Sequence, residues 1–189
     1  MNTKVFLILV VLFASSIQII SSEYNVKKTD KNIVKFLSEA PFENFEGITN
    51  NIDGFLYFEN ELTNNSQLHF EVDLRTIDTG IGLRNRHMRD NYLETDKYPM
   101  AVYEGKIVDA EKIGDDKYKV KVAGNMKIHG VSLEQNVEGT LEILGDEINI
   151  ITDFIVKLTD HKIEVPSLMF MKINENMQLH LDFSLEKVN

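Results

Sequence analysis

The chain has no cysteine. That absence removes disulfides, thiolate metal sites and cysteine nucleophiles together. It also removes lipid attachment through an N-terminal cysteine. There are few prolines, and neither they nor the glycines gather into a linker or a low-complexity tract. No internal repeat is visible. There is no G-x-S-x-G elbow, no H-E-x-x-H and no glycine-rich loop to cradle phosphate. His69, His87, His129, His161 and His180 are scattered, and none is spaced from another as a paired metal ligand on one element would be. No two carboxylates stand isolated in an apolar setting, the arrangement that raises a pKa for acid-base work. The sequence therefore assigns no catalytic residue and no metal ligand, and a non-enzymatic role is expected.

Positive charge is also scarce. The 20 Lys and Arg against 30 Asp and Glu leave a formal net charge of -10. An acidic surface without a basic stripe repels phosphate backbones, so nucleic acid is not an expected partner. Anionic membrane surfaces are disfavoured by the same sign. Arg84, Arg86 and Arg89 form the one local exception. Such a cluster either holds an anionic head group or is simply solvated on a loop.

Met1 to Lys4 is short and basic, Val5 to Phe13 is an unbroken apolar run, and small residues follow at Ala14, Ser15 and Ser16 and later at Ser21 and Ser22. This is the layout of a secretory signal peptide. The run is too short for a transmembrane helix, which needs about 20 apolar residues. The division expected is a signal peptide over 1–22 and one mature domain over 23–189. A cut after Ser16, with Ala14 three back, is the alternative. Export implies a periplasmic or secreted protein without a stable membrane anchor.

The rest of the chain alternates. Leu68, Phe70, Val72 and Leu74 share one parity, with His69, Glu71 and Asp73 on the other. Tyr118, Val120 and Val122 oppose three lysines. Val131, Leu133, Val137, Leu141 and Ile143 share parity across one long strand, and Phe154, Val156 and Leu158 continue the theme. Met177, Leu179, Leu181, Phe183 and Leu185 form the last apolar face. These are half-buried antiparallel strands. About eight of them make an all-β domain, either a closed barrel or a two-sheet sandwich, and the period alone does not choose. One or two short helical inserts interrupt the pattern. Ala40 to Gly47 reads as a helical turn opened by Pro41, with Phe42 and Phe45 as core or as a flap over a cavity. From Leu83 to Leu93 the apolar spacing is roughly helical, and Pro99 ends it. Leu168, Met169, Phe170 and Met171 either plug one end of the core or line a cavity wall.

Two sets of residues carry a family resemblance. One is Arg84 or Arg86, His87, Met88, Asp96, Tyr98, Pro99 and Tyr103. The other is Gly124, Ile128, His129, Gly130 and Val131. With the opening YNVKKTDKNIVKFLS and the closing QLHLDFSLEK, the mature chain resembles the YceI-like family. The resemblance implies an antiparallel lipocalin-like β-barrel that binds an amphiphilic lipid, a polyisoprenoid or an isoprenoid quinone, and needs no other cofactor. A tail inside such a barrel would touch Phe36, Phe70, Leu74, Met88, Tyr92, Met100, Phe154 and Phe170, with its polar end near the Arg84 to Tyr103 insert and Arg84 among the ligand-binding residues. A homodimer is compatible with this reading. The competing class is an interaction module with a solid core, and a lipid-modifying enzyme is a third.

Overall fold

The computed structural model describes residues 20–39, 44–168 and 171–188. Most of the expected signal peptide therefore lies outside the described residues, as do Phe42, Met169 and Phe170.

Thirteen strands are described, in chain order β1 Ser21–Val26, β2 Ile33–Ser38, β3 Phe45–Thr49, β4 Ile52–Glu59, β5 Gln67–Asp73, β6 Met100–Gly114, β7 Lys117–Ile128, β8 Val131–Glu134, β9 Val137–Leu144, β10 Glu147–Lys157, β11 Ser167–Leu168, β12 Met171–Lys172 and β13 Asn176–Lys187. Eight of them close a ring, each antiparallel to its neighbours: β1, β4, β5, β6, β7, β9, β10 and β13, with β13 pairing back onto β1. A closed sheet leaves no edge, and apolar side chains on alternate positions turn inward. The alternation in the sequence is this pleat.

β2, β3 and β8 extend the ring, and β11 and β12 form a separate two-stranded sheet. The outer edge of β13 is shared: Leu185 pairs with Val26 of β1, and farther along Leu181 pairs with Val34 of β2. β3 continues outward from β2 and reaches Asp78 through an Ile48–Asp78 bridge. β8 and β9 face one strand, β7, in a single register: Val131 lies opposite Ile128 and Val137 opposite Val122. The expected long strand is thus real in direction and is interrupted only at Gln135 and Asn136. Its first part departs from expectation, because Leu133 is 36% exposed.

The helical insert follows β5. It is α1, Gly82–His87, which widens into one π-turn over Met88–Tyr92. The helical turn expected over Ala40 to Gly47 is corrected in its described part. Phe45, Glu46 and Gly47 belong to β3, because backbone pairing with Leu37 and Phe36 of β2 holds them extended.

The two ends of the barrel differ. At one end Tyr24 stacks on Phe58, with ring centroids 6.0 Å apart. Ile148 and Leu185 beside them have no exposed surface at all. That end is solid. The other end carries β3, the insert and the β11–β12 hairpin.

Candidate functional site: an apolar cavity with a polar mouth

The strand faces that point inward do not meet at the insert end. They enclose a cavity of about 640 Å³. Such a volume falls within the range of small-molecule sites, roughly 300–1,000 Å³. Its wall is built from Leu56, Leu68, Phe70, Val72, Val120, Val122, Leu141, Ile150, Phe154, Leu179, Leu181 and Phe183. These come from six of the eight ring strands, the pattern a closed pleated sheet produces. Phe70 and Phe183 meet edge to face at 5.0 Å and floor the cavity above the solid end.

Two polar side chains lie deep in the wall, and both are already bonded. Thr152 Oγ1 donates to Glu138 O at 2.8 Å. Tyr103 Oη donates to Gln135 O at 2.8 Å, across the gap between β8 and β9. Burial pushes the Tyr103 phenol up to about 12. The linkage has a definite sign. The folded protein holds the proton more tightly than the unfolded chain, whose tyrosine titrates near 10. The contribution is therefore complete below about pH 10 and is lost as pH rises toward about 12. We expect Tyr103→Phe to flatten that part of the alkaline stability profile, measured by denaturant midpoints at stepped pH. An unchanged profile would place the phenol in water.

Polarity rises at the mouth, which Arg84, His87 and Tyr92 line together with Phe36, Phe45, Ile77, Ile81, Leu83, Met88 and Leu93. Arg84 is half-buried and engaged. Its Nε donates to Thr79 Oγ1 at 2.9 Å and its Nη2 to Thr79 O at 2.6 Å. Its guanidinium sits 4.5 Å above the Phe45 ring, a cation–π contact. Asn85 Nδ2 also donates to Asp78 Oδ1 at 2.7 Å, and Asn85 Oδ1 accepts from both Thr79 N and Thr79 Oγ1. Arg84 thus fastens the insert to the loop before it and to β3. Of the three arginines only Arg84 lines the mouth. Arg89 donates to Arg75 O at 3.4 Å, and Arg86 is exposed.

The residues singled out for a lipid tail divide as follows. Phe36, Phe70, Leu74, Arg84, Met88, Tyr92 and Phe154 all line the cavity. Phe170 lies outside the described residues. Met100 is a correction: its neighbours Ala101 and Tyr103 line the cavity and it does not. Strand alternation puts it on the opposite face of β6. Sequence reasoning also passed over Thr152, Gly47, Gly139, Ile163 and Pro166, all of which line the cavity. Strand parity with Phe154 could have found Thr152. Nothing local marks Ile163 or Pro166, which reach the wall on an irregular segment.

The two motif stretches meet in space. The Tyr98 and His129 rings pack edge to face at 4.7 Å. Gly130 has φ +76, and a Cβ there would lie 2.7 Å from Tyr98 Cε1, so both conformation and space demand glycine. His129 Nε2 lies 3.0 Å from Glu94 Oε2, and its Nδ1 lies 3.3 Å from His161 O. Lys97 first, and His129 second, hold the Glu94 carboxyl below the usual carboxylate range. His129 therefore makes a structural bond. It ties the exit of the insert to the β7–β8 turn. Among the described residues no group of three or more His, Asp or Glu is placed to hold a metal ion.

A profile of the YceI-like domain matches residues 24–185. The chain belongs to the YceI-like family. Among solved structures, BcnA of Burkholderia cenocepacia superposes with a TM-score of 0.68 at 16% identity, covering 82% of this chain and 96% of that one. A polyisoprenoid binding domain from Saccharophagus degradans, implicated in plant cell wall breakdown, gives 0.67 at 16% identity, covering 90% and 100%. The Campylobacter jejuni YCEI protein gives 0.64 at 18%, covering 80% and 90%. At such identities these likenesses establish the YceI-like barrel alone. No curated protein matches the chain.

Proposed function

We propose that this YceI-like barrel is an exported carrier of an amphiphilic lipid, with the tail in the cavity and the polar end at Arg84, His87 and Tyr92. The observation that carries this is the wall itself. A void lined by apolar groups forfeits dispersion contacts and offers water too few partners. An apolar tail supplies the contacts and is itself removed from water, at roughly 25 cal/mol per Å². The polyisoprenoid-binding neighbour from Saccharophagus degradans supports an isoprenoid chain or quinone as the class.

Size constrains the ligand. A water molecule takes about 30 Å³ of liquid volume and a methylene is comparable, so the cavity holds on the order of twenty chain atoms. A longer isoprenoid would extend through the mouth. Arg84 already has partners, so it favours a head group that accepts one further bond over one that needs a free cation. We expect Arg84→Ala to loosen the insert and speed release of any tail, neutral or anionic. A loss confined to anionic lipids would instead make Arg84 a charge receptor.

Export is proposed from the Met1 to Ser22 layout. β1 begins at Ser21, paired with Glu59. A cut after Ser16 keeps this strand whole, and a cut after Ser22 removes its first two residues. N-terminal sequencing of the mature protein distinguishes the two, and a cytoplasmic protein starting at Met1 excludes export.

The test of the carrier reading is organic extraction of the full chain purified from its own host. One lipid class near one molecule per chain is expected. Extracts without lipid, from a protein that also fails to take up added quinone or polyprenol, would leave the interaction-module reading.

A further inference from the structure

The rim of the mouth combines exposed apolar side chains with basic charge. Ile81 and Leu83 line it and are 52% and 60% exposed. Tyr92 stands beside them, half-buried. Aromatic rings with a polar tip suit the boundary between hydrocarbon and water. The charge is reversed here as well. Acidic residues outnumber basic ones across the chain, yet residues 81–93 carry Arg84, Arg86 and Arg89 against Asp90 alone. Arg86 lies three residues after Leu83 on α1, so the two share a helix face. A wet apolar rim flanked by arginine, on an otherwise acidic barrel, matches one partner by both hydrophobicity and sign.

We propose that this rim docks on an anionic lipid bilayer, with the mouth facing the membrane, so that the ligand passes between bilayer and cavity without crossing water. The proposal rests on the carrier reading. The overall acidic charge keeps the contact transient and turns the solid end of the barrel away from the surface. Basic residues near an anionic surface attract it over about a Debye length, so binding weakens with salt.

The test is flotation of the full chain with vesicles of equal parts phosphatidylglycerol and phosphatidylcholine, against pure phosphatidylcholine. The wild type should float with the anionic vesicles at low salt and detach as salt rises. Arg86→Glu should lower the bound fraction on the order of tenfold, while lipid copurifying with the variant stays at the wild-type level. Lys112→Glu makes the same charge change at the exposed far end of β6 and should float like the wild type. Leu83→Ser should also weaken binding, at either salt concentration. A wild type that carries lipid but floats with neither vesicle overturns docking and leaves the carrier reading intact; the rim would then face a protein. Equal flotation of the wild type and Arg86→Glu overturns it too. A protein that floats as described yet never carries lipid keeps the docking surface and removes the carrier.

Discussion

Replacing Ala101 by tryptophan should empty the barrel of lipid without unfolding it. Ala101 lines the cavity from β6, opposite Val72 of β5, which lines it as well. An indole built there enters space that the tail would occupy. Overpacking of this kind costs about 1–3 kcal/mol, which is about five- to 150-fold in affinity. The apoprotein suffers little, because the ring fills a void and gains dispersion contacts. Urea denaturation should give a midpoint at or above the wild type, while retained lipid falls by that factor. Phe70→Trp should act in the same direction more weakly, since it adds less volume. An Ala101→Trp protein that holds as much lipid as the wild type would mean that the tail lies elsewhere.

The second large effect is expected at the opposite end. Leu185 has no exposed surface and lies between Val26 and Ile148 in register. Leu185→Asp buries a carboxylate with no partner beside the Tyr24–Phe58 stack. The cost should be about 4 kcal/mol or more, a large share of a small domain's stability. Glu186→Ala, one residue on and exposed, should change stability by about 0.5 kcal/mol or less. Denaturant midpoints of the two variants check the register of β13 directly. Equal effects would reverse which face of the strand points inward.

The contrast between these sites shows what was legible in the sequence. Strands β5 and β13 alternate cleanly, so their inward faces are read directly from parity, and every residue expected to face inward from Leu68 to Leu74 lines the cavity. β6 is different. At its start both parities are apolar: Met100 and Val102 on one, Ala101 and Tyr103 on the other. Bulk favours Met100 as the inward residue, but the pleat selects Ala101. Farther along, a register shift between Ile107 and Asp109 moves the inward face to Ala110, so no single parity describes the strand. A bulge of this kind leaves no sequence trace beyond local irregularity.

The mouth was legible as an insert but not as a constellation. In the sequence Arg84, Arg86 and Arg89 form one basic cluster. The fold gives them separate tasks: Arg84 is fastened to Thr79 and Phe45, Arg89 is bonded to the backbone at Arg75, and Arg86 is left in water. Those partners lie on β3 and on the loop before α1, and only the closed barrel brings them beside the insert. The meeting of Tyr98 with His129 and Gly130 is of the same kind. Family resemblance marked both stretches, and their contact explains physically why each needs its residue types.

A solid core and an open cavity occupy two halves of one molecule. Packing is complete around Tyr24, Phe58, Ile148 and Leu185, and it is absent between Phe183 and the insert. The solid half gives the barrel a stable base. The open half is where the account stands or falls, and native mass spectrometry of the full chain purified from its own host tests it most directly. The account predicts a main species heavier than the polypeptide by one amphiphilic lipid, lost on gentle activation, and absent or much reduced in Ala101→Trp. A wild-type spectrum of bare polypeptide alone, unchanged after incubation with quinone or polyprenol, would contradict it.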